Sequence, residues 1–104
     1  MLEWVRRNVG KQKIKLRRDL NPGFSAWEGA TFALVLVMLY DSAKDAIFAA
    51  VNEGGDADSI AAMVGGIAAA RNPETLPEEW VRIVERENRL NFASYTEHLA
   101  VLRR

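Results

Sequence analysis

The sequence contains no cysteine and a single histidine among its 104 residues. The absence of cysteine excludes a disulfide framework, a zinc–thiolate site and a thiol nucleophile. Histidine chemistry is a poor basis for a mechanism, because His98 is the only imidazole. The apolar fraction of 49% predicts one small globular domain, with one hydrophobic core and little scaffold beyond it.

The sequence also lacks a long hydrophobic run and a signal peptide. Its most apolar stretch, residues 30–40, is interrupted by Thr31 and is shorter than the ~20 residues that a membrane-spanning helix requires. The basic residues near the N-terminus lead into the polar residues 10–13 rather than into an apolar segment. We therefore expect a cytoplasmic protein with no membrane association.

The chain has a net charge of zero, but its two parts carry opposite charges. Residues 1–20 hold seven basic and two acidic residues, a charge of +5, whereas residues 21–104 hold seven basic and twelve acidic residues, a charge of −5. We interpret residues 1–20 as a basic segment and residues 21–104 as the domain. The favoured role of the basic segment is docking on the acidic domain. The alternative is a non-catalytic, homo-oligomeric binding module that holds nucleotide phosphates or nucleic acid through this segment.

The pattern of apolar residues and of helix-capping residues predicts an all-α fold, a small bundle of four to five helices. Ser25 with Glu28 forms a capping box before the first helix, and Ser42 with Asp45 offers a weaker one before the second. Helices are predicted over residues 26–40, 43–52 and 59–71, with a fourth opening at Pro77 and a fifth over residues 95–102.

Two further expectations concern how these helices pack. The first helix is apolar on nearly every side, so it should be central and covered all round. Gly65 and Gly66 lie inside the third helix at a cost of about 2 kcal/mol relative to two alanines, which predicts a closely packed neighbour. In the fourth helix, Val81, Val84 and Leu90 should line an inner face.

Acidic and hydroxyl side chains are concentrated in residues 54–59, Gly-Gly-Asp-Ala-Asp-Ser. Asp56, Asp58 and Ser59 offer hard oxygen ligands at the start of a predicted helix, which suits Mg²⁺, Mn²⁺ or Ca²⁺. Gly54 and Gly55 permit a sharp turn before them. The competing interpretation is structural, because Asp and Ser are also the residues that cap a helix N-terminus.

Three separated motifs then resemble the C-terminal signature of the ADP-ribosylglycohydrolase family. They are residues 50–59, which end in Gly-Gly-Asp-Ala-Asp-Ser, residues 63–68 and residues 76–80, Leu-Pro-Glu-Glu-Trp. The family pattern has threonine where this chain has Ala57 and Ser59. The resemblance covers roughly residues 24–88 and implies an all-α hydrolase with two adjacent magnesium ions that cleaves ADP-ribose from a protein side chain.

The resemblance also implies roles for individual residues. It makes Asp56, Asp58 and Ser59 metal ligands for Mg²⁺, or for Mn²⁺, places Gly54 and Gly55 where backbone approaches the metals or the ADP-ribose, and makes Trp80 a packing residue.

No catalytic residue is assigned to this chain, because the family carries its catalytic acid and its second group of ligands in an N-terminal half with no counterpart here. We therefore expect an incomplete metal site that is inactive alone. The expected partner is a second copy of the chain or a complementing N-terminal half, rather than nucleic acid.

Overall fold

The computed structural model describes residues 25–103, and within them it is all-α, with no strand, as the sequence predicts. Five α-helices follow one another, with one 3-10 turn at Pro73–Thr75. The helices are α1 (Ala26–Leu39), α2 (Ala43–Asn52), α3 (Ala57–Arg71), α4 (Glu78–Asn88) and α5 (Phe92–Leu102). The basic segment 1–20 lies outside the described residues, so its two proposed roles stay predictions. The division into this segment and a domain stays a prediction as well.

The first two helices begin at the serines that the sequence indicates. The hydroxyl oxygen of Ser25 accepts a hydrogen bond of 3.2 Å from the backbone N–H of Glu28. The hydroxyl oxygen of Ser42 accepts one of 3.3 Å from the backbone N–H of Asp45. Each serine satisfies a backbone donor that has no partner within the helix, which explains why α1 and α2 start where they do.

Hydrogen bonds at the C-terminal end of α3 fix the relative direction of the first three helices. The guanidinium of Arg71 donates to the carbonyl of Val37, at 2.8 Å, and to that of Tyr40. The C-termini of α1 and α3 therefore lie at one end of the bundle, and the two helices run parallel. The hydroxyl oxygen of Thr75 accepts a 2.7 Å hydrogen bond from the backbone N–H of Ala43, so α2 begins at that same end and runs antiparallel to both.

The core lies among α1, α2 and α3. Phe32 and Leu36 of α1 and Ile60 and Val64 of α3 are at most 1% exposed. The buried residues of α2 are all alanines, which lets its neighbours approach closely: Ala43, Ala46 and Ala50. Packing is most extensive between α2 and α3 and between α1 and α3.

Within residues 25–103, α1 is neither central nor covered on all sides, contrary to the prediction. Its buried residues lie on the sides that meet α2 and α3, while Leu34 and Met38 are 42% and 39% exposed. Since α3 packs extensively on both other helices, α3 rather than α1 occupies the central place in the core. Part of the apolar surface of α1 is left open.

Gly65 and Gly66 inside α3 were expected to lie against a closely packed neighbour, and only Gly65 does. A Cβ added to Gly65 would lie 3.4 Å from Cδ1 of Ile47 on α2, so this glycine serves close packing. A Cβ added to Gly66 would meet no atom within 4 Å. Gly66 has no neighbour in the described chain that explains it.

The last two helices differ from the prediction. No residue of α4 or α5 is fully buried. Of the predicted inner face, Val81 is half-buried, whereas Val84 and Leu90 are 44% and 37% exposed, so the face forms at Val81 only. Trp80 is half-buried and packs edge-to-face on Phe48 of α2, with ring centres 5.3 Å apart, which agrees with a packing role. The helix predicted over residues 95–102 begins earlier, at Phe92.

No helix within residues 25–103 is both long enough and apolar enough to span a membrane.

Candidate metal centre

A turn of two consecutive glycines connects α2 to α3. Gly54 and Gly55 have φ angles of 79° and 64°, both in the left-handed region that side chains with a Cβ rarely adopt. Because α2 ends at Asn52 and α3 begins at Ala57, the chain reverses within four residues. The glycines are therefore required by the backbone of the turn. Their predicted role next to metal or substrate stays a prediction.

The turn delivers the predicted ligands to the N-terminus of α3. The helix begins at Ala57, two residues before the predicted start, so Asp58 and Ser59 lie in its first turn and Asp56 lies at the N-cap position. This end of the bundle also holds the N-terminus of α1, because α1 and α3 run parallel. Asp58 and Ser59 are exposed, and Asp56 is half-buried.

Asp56 occupies the cap position without acting as a cap. Its side chain accepts no capping hydrogen bond, whereas Ser25, Ser42 and Asn91 each accept one at the start of α1, α2 and α5. Capping by Asp56 was the competing explanation for an acid at this position. Without that hydrogen bond, capping does not explain the acid at position 56.

The two carboxyl groups interact with each other. The backbone N–H of Ser59, the side chain of Asp56 and the backbone N–H of Asp58 itself lower the pKa of Asp58, against a small opposing effect of burial. The positive end of the α3 dipole favours the same ionised form. Asp58 is thus held as a carboxylate beside Asp56.

The sequence model of the ADP-ribosylglycohydrolase family matches residues 1–104 of this chain. The chain belongs to the ADP-ribosylglycohydrolase family. The match spans the described helices and also the basic segment before them, so it extends beyond the roughly 65 residues that carry the motif resemblance.

A curated relative agrees with the family assignment. The chain is 33% identical over 95 residues to an ADP-ribosylarginine hydrolase, Tri1, of Serratia proteamaculans. The alignment covers 89% of this chain and 26% of the relative, so the chain spans about a quarter of the relative's length. No solved structure matched the chain.

The oxygen-bearing side chains at the family's metal motif suit a divalent cation in type but are too few to surround it. Asp56, Asp58 and Ser59 supply two carboxylates and a hydroxyl, and oxygen is the ligand that Mg²⁺ takes. Within residues 25–103 no group of three or more His, Cys, Asp or Glu side chains could hold a metal ion. The described chain therefore offers fewer protein ligands than the six-coordinate shell of Mg²⁺ can take.

The periodicity and motif arguments missed Arg71, Asn72 and Thr75, which close the end of the bundle opposite the glycine turn. The amide nitrogen of Asn72 donates to the carbonyl of Asp41 at 2.6 Å, next to the Arg71 hydrogen bonds described above. These contacts join residues 31 to 34 positions apart, and local spacing gives no signal for them.

Proposed function

We propose that this chain supplies one half of a magnesium site in an ADP-ribosylglycohydrolase, with Asp56, Asp58 and Ser59 as its ligands. A single chain binds the cation without turning over substrate. The observation that carries the proposal is the Asp56 carboxylate, which stands beside Asp58 at a helix N-terminus and makes no capping hydrogen bond.

Charge and exposure support binding at this place. Asp56 and Asp58 lie side by side, and a divalent cation held between two carboxylates is attracted by both. The Asp58 and Ser59 side chains are exposed, so a hydrated ion reaches them without any opening of the fold. The turn at Gly54 and Gly55, whose positive φ angles glycine adopts without strain, places Asp56 at the start of α3.

The substrate class follows from the relative's name. We infer that the complete site acts on ADP-ribosylated arginine, because the relative that is 33% identical is an ADP-ribosylarginine hydrolase. Bound magnesium would supply Lewis acidity and a fixed point for oxygen atoms of the ADP-ribosyl group. Asp56 and Asp58 would hold the ion in place, and the Ser59 hydroxyl would complete their side of its coordination shell.

Residues 25–103, which the structure describes, do not supply the opposite side of such a site. Two-metal hydrolysis needs ligands on both sides of the ions to position the attacking water and the leaving group. The described residues bring together two carboxyl groups and one hydroxyl, with no group of three or more His, Cys, Asp or Glu side chains that could hold a metal ion. We therefore expect ion binding but no cleavage from a monomer.

Metal binding is tested by titrating Mn²⁺, as a paramagnetic substitute for Mg²⁺, and following free Mn²⁺ by electron paramagnetic resonance. The wild-type chain should reduce the free signal, and excess Mg²⁺ should restore it. Asp56→Asn and Asp58→Asn should each abolish the binding. Asp45→Asn is the matched control, because Asp45 also lies in the first turn of a helix but at the opposite end of the bundle. Equal binding by all four proteins would refute the proposed ligands.

Activity is tested with ADP-ribosylated arginine and Mg²⁺, with release of ADP-ribose followed by chromatography. The monomeric chain should release none above the no-protein control. Turnover by a monomer, lost in Asp56→Asn, would contradict the half-site and show that this chain holds a complete one.

A further inference from the structure

A tryptophan with an exposed ring lies at the end of the bundle that carries the proposed metal ligands. Trp27 is in the first turn of α1 and is 80% exposed, more than any other large apolar side chain of the described residues. Trp80, by contrast, is half-buried and packs on Phe48. The fold therefore gains little stability from the indole of Trp27, and both faces of that ring are accessible from solvent.

The register of α1 and α3 places Trp27 across from Asp58. The two helices run parallel, and Ala30 of α1 and Ala62 of α3 line the same surface depression. Trp27 precedes Ala30 by three residues, so it lies about one turn nearer the N-terminal end on the same stripe of α1. Asp58 precedes Ala62 by four residues and is placed in the same way on α3. Because packed helices lie roughly 8–10 Å apart, one small group fits between the indole and the carboxylate.

This end of the bundle is acidic. Residues 25–34 and 53–62 form it, and they hold four acidic residues and no lysine or arginine: Glu28, Glu53, Asp56 and Asp58. A divalent ion at the proposed half-site offsets two of these four negative charges. The described residues at this end therefore favour a cationic group beside the metal ligands over a neutral or anionic one.

We infer that Trp27 binds the guanidinium of the ADP-ribosylated arginine and so determines which modified side chain the site accepts. This inference rests on the proposed function, which supplies both the metal ligands and the substrate class. The bond to be hydrolysed joins the ribose to a guanidinium nitrogen, so a side chain beside the metal ligands lies close to the guanidinium as well. A guanidinium is planar and positively charged, and tryptophan is the aromatic side chain on which such a cation stacks best.

The adenine of the substrate is the other flat group on which an indole stacks. It lies at the far end of the ADP-ribosyl group, separated from the arginine by both ribose rings and the diphosphate. Trp27 lies across from Asp58, next to the proposed metal ligands. This position, together with the negative charge around it, favours the guanidinium.

Calorimetric titration in Mg²⁺ tests the inference by comparing ADP-ribosylarginine with ADP-ribose. The wild type should bind ADP-ribosylarginine about fivefold more tightly than ADP-ribose. Trp27→Leu keeps an apolar side chain but has no aromatic face, so it should bind the two ligands equally. Trp27→Phe should keep a smaller preference. Tyr95→Leu is the matched control, because Tyr95 is a 56% exposed aromatic residue of α5, which contributes nothing to the core, and it should keep the wild-type preference.

Other outcomes would overturn the inference. Equal binding of the two ligands by the wild type, or binding of neither, would remove the role of Trp27. If Trp27→Leu lost as much affinity for ADP-ribose as for ADP-ribosylarginine, the indole would contact the nucleotide rather than the guanidinium. Loss of the preference in Tyr95→Leu would place the specificity outside this end of the bundle.

Binding of Mn²⁺, followed by electron paramagnetic resonance, separates this inference from the proposed function. Trp27→Leu should bind Mn²⁺ as the wild type does, because the indole is not a metal ligand. A wild type that binds Mn²⁺ but shows no preference for ADP-ribosylarginine would overturn the role of Trp27 and leave the half-site intact. A wild type that binds no Mn²⁺ would refute the proposed function itself.

Discussion

The three helices α1 to α3 and the two helices α4 and α5 have apolar residues in common but differ in what those residues contact. In the first region, Phe32 and Leu36 of α1 and Val64 of α3 are fully buried in the core. In the second, no residue of either helix is buried. Apolar spacing alone therefore does not show that a helix is packed. It shows only that the helix has a face able to pack.

The largest expected difference between these regions is in backbone hydrogen exchange. An isolated helix of 11 residues is marginally stable in water, so α5 should open on its own. The amides of α1 and α3 should exchange only through global unfolding, roughly three orders of magnitude more slowly than those of α5. Mass spectrometry of exchanged peptides measures the ratio. Equal protection in α5 and α1 would show that α5 is packed in solution.

Truncation of one side chain in each region sharpens the comparison. Phe32→Ala should lower the free energy of unfolding by about 3–5 kcal/mol, because the ring is completely buried and leaves a cavity. Leu99→Ala should change it by about 0.5 kcal/mol or less, because Leu99 is 62% exposed. Urea denaturation followed by circular dichroism gives both values. A large loss in Leu99→Ala would place α5 in the cooperative core.

The arginines of the two regions should differ in the same direction. Arg71→Met removes guanidinium hydrogen bonds to the carbonyls of Val37 and Tyr40 and should cost about 1.5–3 kcal/mol. Arg82→Met removes an exposed ion pair with Glu78, 3.2 Å long, and should cost about 0.5 kcal/mol or less. The same urea titration compares them. Similar costs would mean that the Arg71 hydrogen bonds do not hold the end of the bundle together.

The contrast also explains what the sequence could predict. Helix starts were predictable where a side chain caps its own helix, as at Ser25 and Ser42, because the interaction is local. The hydrogen bonds of Arg71 were not predictable, because they join residues more than 30 positions apart. The inner face of α4 was predicted wrongly at Val84, which has the right spacing but is 44% exposed in the part of the chain that the structure describes.

At the candidate site, too, only the local features could be predicted from the sequence. The sequence predicted that Asp56 and Asp58 lie together at the start of a helix after a glycine turn, and the structure places them there. That they bind a metal ion stays a prediction. The start of α3 was predicted two residues too late, at Ser59, whereas the helix begins at Ala57. The absence of a capping hydrogen bond at Asp56 depends on the exact backbone angles of the turn, which residue types do not specify.

The smallest expected effect concerns the charge of Asp58. Its pKa is lowered in the folded chain by the N–H of Ser59, by Asp56 and by its own N–H, so the folded state holds the ionised form better than the unfolded state does. The resulting stabilisation is present above the ordinary pKa of an aspartate, about 3.9, and is lost as pH falls through the lowered value. Asp58→Asn should therefore be slightly less stable than the wild type at pH 5 to 7, and the difference should shrink below about pH 4.

Thermal denaturation in EDTA at successive pH values measures this difference without a bound cation. Leu99→Ala is the control, because it changes no titratable group and its difference from the wild type should not follow this pH profile. A difference between Asp58→Asn and the wild type that grows as pH falls would reverse the sign of the effect. It would mean that the Asp58 carboxylate is destabilised in the fold by its neighbour Asp56, with repulsion between the two carboxylates outweighing the backbone N–H donors and the helix dipole.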